Sequence, residues 1–169
     1  MSRSLLADPF EHHVWATLQL IDACAALDPE QLATAVPGTY GSILDTLRHL
    51  VGGDCSYLNL LTGGKVAAID EEQFDLAGLR VAMAANGPAW AALVAQDLDP
   101  EVVVTRHRDD GSESRAPLGI RLAQALDHGT DHRSQVCTTL TMLGLEPPGI
   151  DAWALAWSDG RLVETPPTA

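Results

Sequence analysis

The sequence predicts an all-α fold, an antiparallel four-helix bundle with a long crossover between its third and fourth helices, built as a single domain over residues 1–169. Three observations lead there. Four long segments carry apolar residues at spacings of three and four, the pattern of a helix with one buried face. Glycine and proline gather between those segments and mark their ends. A chain of 169 residues, 46% hydrophobic and 20% charged, has enough apolar material for one core and too little length for a second domain.

The first helix is expected from Pro9 to Leu27, where Phe10, Val14, Leu18, Ile21 and Ala25 fall on one side. Asp8 is placed to cap it, Pro9 suits its first position, and Asp28 with Pro29 ends it. The second opens after the Pro37 to Gly41 turn with Ser42 as cap, carries Leu44, Leu47, Val51 and Leu58 inward, and stops at Gly63 and Gly64. The third runs from about Glu71 to Leu98, with Asn86, Gly87 and Pro88 expected to kink or divide it. The stretch EVVVTRHRDDGSESRAPL then reads as a short hairpin turning at Asp110 and Gly111, or as an extended crossover. The fourth helix spans Leu118 to Leu143 and is closed by Gly144, Pro147 and Pro148. Beyond it, Trp153 and Trp157 lie four apart on a short helix and are read as capping the core, while VETPPTA reads as a loose tail.

Ten Lys and Arg against 23 Asp and Glu give a formal charge of -13, which repels a nucleic-acid backbone or an anionic membrane surface. Neither a signal peptide nor a membrane span is legible, so the expected setting is the cytoplasm. Cys24, Cys55 and Cys137 are widely spaced, odd in number and without a CxxC pattern, which points to buried free thiols.

Chemistry concentrates in LDHGTDHRSQV. His128 and His132 are four apart, so both imidazoles project from one side of a helix within reach of a single ion. Such pairs also occur on solvated helices without a metal, and the spacing leaves both readings open. Gln135 lies one turn on, suited to hold a water or a polar group of a substrate; Arg133 falls within the apolar stripe and requires a carboxylate or carbonyl partner. A catalytic ion of the zinc type takes three protein ligands plus water. Among the other histidines, His12 points away from the apolar side and is read as solvated, His107 as surface, and His13 as a core residue, a supporting residue or a fourth ligand. His49 interrupts the second helix beside Asp45, Gly52, Gly53 and Ser56, a flank that suits either a solvated histidine or a cavity for an ion.

Taken together, these motifs resemble the DinB-like metal-binding four-helix-bundle proteins. The family pattern places one histidine in a TLxHL context with an acidic residue five positions on, here His49 in TLRHL followed by Asp54. It continues with HxxxHRxQ, a glycine, prolines and an acidic residue, matched here by His128, His132, Arg133, Gln135, Gly144, Pro147, Pro148 and Asp151. The glycine common after the HR pair is Ser134 in this chain. The resemblance covers nearly the whole chain and implies that His49, His128 and His132 bind one divalent metal, zinc or nickel foremost and iron next. It implies His13, Asp54 and Gln135 as supporting or substrate-binding residues, a small-molecule substrate and a homodimer.

Relatives of that family include bacillithiol S-transferases and mycothiol-dependent isomerases, so the resemblance implies a low-molecular-weight thiol activated for S-transfer or isomerisation. Two other readings stay open: a metal-dependent hydrolase using bound water, and a non-catalytic metal-binding protein. Asp131, Asp54 and Asp45 are the carboxylates within reach of a supporting role, with Asp131 read as facing water.

Overall fold

In a computed structural model, residues 3–165 are described; the last four residues of the expected tail lie outside that range. The fold is mostly helical, as expected, and the small two-stranded sheet is the short hairpin, one of the two readings of the crossover. The elements are α1 (Ala7–Cys24), α2 (Pro29–Leu32), α3 (Ile43–Leu61), α4 (Leu76–Val94), β1 (Val103–His107), β2 (Glu113–Pro117), α5 (Leu118–Met142) and α6 (Ala152–Ser158), with a 3-10 turn at Glu71–Gln73. Helix α1 packs on α4 and α5, and α3 packs on the same two. Their shared core is built on Phe10, Leu20, Leu47, Leu50, Met83 and Trp90, all essentially inaccessible.

Two helix starts differ from the sequence reading: α1 lacks a side-chain cap, and α4 opens at Leu76 rather than near Glu71, which lies in the preceding 3-10 turn. Ser42 caps α3 by accepting from the Asp45 N–H, and Asp75 caps α4 by accepting from the Gly78 N–H. Helix α1, however, starts at Ala7 without a side-chain cap; Asp8 sits inside its first turn, where its charge favours the helix dipole and meets Arg161. Asp28 does more than stop α1. With Gln31 it forms a reciprocal capping box that opens the short α2.

Three further expectations are corrected. Helix α4 is not divided at Pro88 but stays helical from Leu76 to Val94, with buried Met83, Asn86 and Trp90 on either side fixing it against its neighbours. Trp153 and Trp157 do share a face of α6, yet that face looks outward, 69% and 62% exposed; Leu155 on the other side takes the core position. His12 is half-buried, and its Nε2 lies 2.7 Å from the Ile150 carbonyl, fastening the segment after α5 onto α1.

The crossover resolves into a hairpin in which β1 pairs antiparallel with β2, Arg106 opposite Ser114. Gly111 at its turn has φ 81°, a left-handed backbone that glycine adopts without strain. Arg121 of α5 anchors the hairpin by donating to the carbonyls of Val104 and Ser114. Among the described residues, no helix is long and apolar enough to cross a membrane.

Candidate metal centre

Helix α3 supplies His49, and α5 supplies His128 and His132 on successive turns of one face. Each histidine offers a ring nitrogen, and those atoms lie within 4.8 Å of one another. The ring centroids are 4.5 to 5.1 Å apart, with the rings turned edge to face. A tetrahedral ion with bonds of about 2.1 Å holds its nitrogens about 3.4 Å apart, so modest ring rotations bring all three to bonding distance.

Two glycines make the approach of α3 and α5 feasible. A Cβ at Gly53 would lie 2.6 Å from His128 Cε1, so the ring of His128 occupies the space that a side chain there would fill. At Gly52 the corresponding space is taken by the carboxylate of Glu71. The volume left by these small residues is thus filled by parts of the site itself.

Orientation of the rings is set by partners on their other nitrogens. His132 Nδ1 lies 3.2 Å from Gln135 Oε1 and donates to it, leaving Nε2 for an ion. The Gln135 amide is held in turn: its oxygen accepts from the Tyr40 N–H at 2.8 Å, and its Nε2 donates to Asp131 at 2.9 Å. Exposed Asp131 therefore reaches the site only through Gln135. His49 Nδ1 faces Glu71 Oε1 at 3.4 Å, and Tyr40 stacks on its ring at 4.1 Å with the planes 7° apart. Arg48, beside His49, donates to the Phe74 carbonyl and fixes the segment that carries Glu71. Tyr57 meets His128 edge-on.

Burial favours the neutral, ligating form of His128 and His132. His128 is pushed down to about 4, first by burial and then by the neighbouring His132 and His49. His132 is lowered for the same first reason, partly opposed by its bond to Gln135. The three cysteines stand apart from this chemistry as free thiols; burial pushes Cys24 up to about 12.

Asp54 and His13 form a separate buried network. Asp54 accepts from His13 Nε2 at 2.7 Å, from Asn86 Nδ2 at 2.7 Å and from Trp90 Nε1 at 3.0 Å. Arg133 NH1 lies 3.1 Å from His13 Nδ1 and also donates to Thr17 Oγ1 and the His13 carbonyl, the kind of partner its place in the stripe required. A guanidinium cannot accept, so His13 must carry its proton on Nε2 and donate it to Asp54. Both ring nitrogens are engaged, which leaves His13 no lone pair for an ion. A Cβ at Gly129 would meet the His13 ring at 2.3 Å, so this network lies directly beneath the α5 turn that presents His128. One buried carboxylate thereby joins α1, α3 and α4, with α5 tied in through Arg133.

Asp45 belongs to the α3 cap and its neighbour Arg48, and His107 pairs with Glu113 on the exposed hairpin. Glu71 and Tyr40 were missed at the level of sequence. Both lie outside the long helices, Tyr40 in the loop before α3 and Glu71 in the 3-10 turn before α4; the one legible hint was the pair of glycines that makes room for Glu71 and His128.

In front of the histidines lies an open pocket of ≈ 580 Å³, walled by Tyr40, Tyr57, Ile69, Glu71 and Arg106 together with His49 and His128. The arrangement defines a helical protein with a three-histidine cluster suited to a metal ion. The DinB family model matches residues 1–166, and the chain belongs to the DinB family. Its fold is similar to that of a DinB-like protein from Bacillus cereus, with a TM-score of 0.61 and 15% identity over 89% of this chain and 100% of that one. No curated protein matches.

Proposed function

We propose that His49, His128 and His132, set in an antiparallel four-helix bundle, hold one divalent ion, zinc or nickel foremost, and that the protein activates a low-molecular-weight thiol there for S-transfer or isomerisation. The observation that carries this reading is the convergence of three ring nitrogens within 4.8 Å, with His49 and His128 at the wall of an open pocket. An ion so held supplies Lewis acidity and ionises a thiol or water at neutral pH.

The residues of the chain do the rest. Gln135 and Glu71 fix the tautomers of His132 and His49, and Tyr40 closes over the His49 ring. A thiol is acidic enough to ionise at such a site without a dedicated base. In S-transfer the thiol proton leaves to solvent, sulfur bonds to the electrophilic carbon, and the bond from that carbon to the leaving group breaks with its electron pair. The hydrolase reading is favoured by one observation, the Glu71 carboxylate in the pocket wall, placed to take a proton from water.

The test begins with elemental analysis of protein purified without a polyhistidine tag. About one equivalent of metal is expected, lost in His49→Ala and His132→Ala. Metal-loaded protein is then assayed for consumption of a sugar thiol with an electrophile, and for ester turnover without thiol. Turnover of the ester alone favours the hydrolase, and wild-type protein that takes up no metal overturns both readings.

A further inference from the structure

The pocket holds a cation that the metal site does not use. Strands alternate their side chains between two faces, and Arg106 shares a face with Val104, which packs against the core. Arg106 therefore lies over α3, exposed, where its NH2 donates to Ser56 Oγ at 3.1 Å and its side chain lines the pocket that His128 also lines. Arg80, Arg115 and Arg161 are paired with carboxylates, and Arg121 and Arg133 are spent on neutral partners that hold the fold together, whereas Arg106 lies at the pocket. The one partner of Arg106 among the described residues is the neutral hydroxyl of Ser56. A positive group facing a pocket in a chain of net charge -13 is specific to that place.

We propose that Arg106 is the anion-binding determinant of this pocket, and that the small molecule taken there carries a carboxylate at the end opposite its reacting group. This rests on the metal-site reading above and names the class of molecule that site receives. A guanidinium presents a planar fork that matches a carboxylate with two parallel hydrogen bonds, and a single cation on the wall matches a single negative charge. Ser56 lies seven residues beyond His49 on α3, about 10 Å along the helix axis. An extended spacer of about five or six atoms, lengthened by the bonds made at its two ends, spans a separation of that order. Tyr57 and Ile69 line the same pocket and suit an apolar spacer.

The test compares 6-mercaptohexanoate with 6-mercaptohexan-1-ol on the cobalt(II)-loaded protein, following the sulfur-to-cobalt absorption band. The carboxylate thiol is expected to bind about tenfold more tightly than the alcohol, a difference of about 1.4 kcal/mol. Arg106→Ala removes that advantage without changing the affinity for the alcohol, and Arg106→Lys keeps part of it. Equal binding of the two thiols to the wild type, or an advantage that persists in Arg106→Ala, overturns the proposal while leaving the metal reading intact. Should neither thiol reach the cobalt, the thiol reading falls, and metal-free protein decides the anion site. There, a saturable shift of the Arg106 Nε–H resonance on adding hexanoate sustains it, and an unmoved resonance overturns it.

Discussion

Gly53→Ala separates the metal centre from the fold that carries it. The added Cβ would stand 2.6 Å from His128 Cε1 and 3.2 Å from its Nε2, against an ordinary carbon contact of about 3.5 Å or more. Helix backbone cannot yield, so the ring must retreat by about 1 Å. Metal–ligand bonds tolerate about 0.2 Å, and a retreat of that size withdraws one ligand of three. Metal affinity is expected to fall at least about 100-fold. Stability of the metal-free protein should not fall with it, since alanine is favoured over glycine inside a helix by about 0.5–1 kcal/mol. Gly52→Ala is the control: its Cβ displaces Glu71, an orienting partner rather than a ligand, and about a tenfold loss is expected. The assay is competition for zinc against a chromophoric chelator, beside urea unfolding of the metal-free proteins. Gly53→Ala protein that binds zinc as well as wild type would refute the reasoning, as would a larger loss from Gly52→Ala.

Other outcomes follow from the same geometry. Asp54→Asn places an amide N–H against donors from His13, Asn86 and Trp90, and should cost about 3 kcal/mol in urea unfolding of the metal-free protein. Gln135→Ala frees the His132 ring and is expected to weaken zinc about 10- to 100-fold with little change in unfolding midpoint. For pH the sign is set by His128, held at about 4 in the folded chain against an ordinary 6.5. Between those values the unfolded chain binds more protons, so metal-free stability should drop as pH falls from 6.5 toward 4, and a thermal melt series on His128→Gln should show a shallower drop.

The four long helices and the His49, His128, His132 constellation were legible because each rests on spacing within one helix or on a pattern shared with a family. What escaped rests on the third dimension. Pro88 reads as a breaker, since a local signal says nothing of the buried Asn86 and Trp90 that hold α4 together. Trp153 and Trp157 were rightly placed on one face, but periodicity gives relative phase and not which side meets the core; Leu155 decides it. Glu71 and Tyr40 reach His49 from segments separated from it by 22 and 9 positions, with nothing periodic to announce them. Asp54 was flagged as an acid near the centre, yet its role is to join helices through hydrogen bonds that only packing reveals.

The way the β1–β2 hairpin is fastened has a bearing on how such a protein diversifies. Arg121 grips it through the backbone carbonyls of Val104 and Ser114, acceptors that every amino acid possesses. Strand side chains can then be exchanged without loosening the clasp, and the helices that carry the three histidines keep their own packing. On the proposed reading, selectivity for a guest and retention of an ion would then rest on different parts of the polypeptide, free to drift on separate schedules.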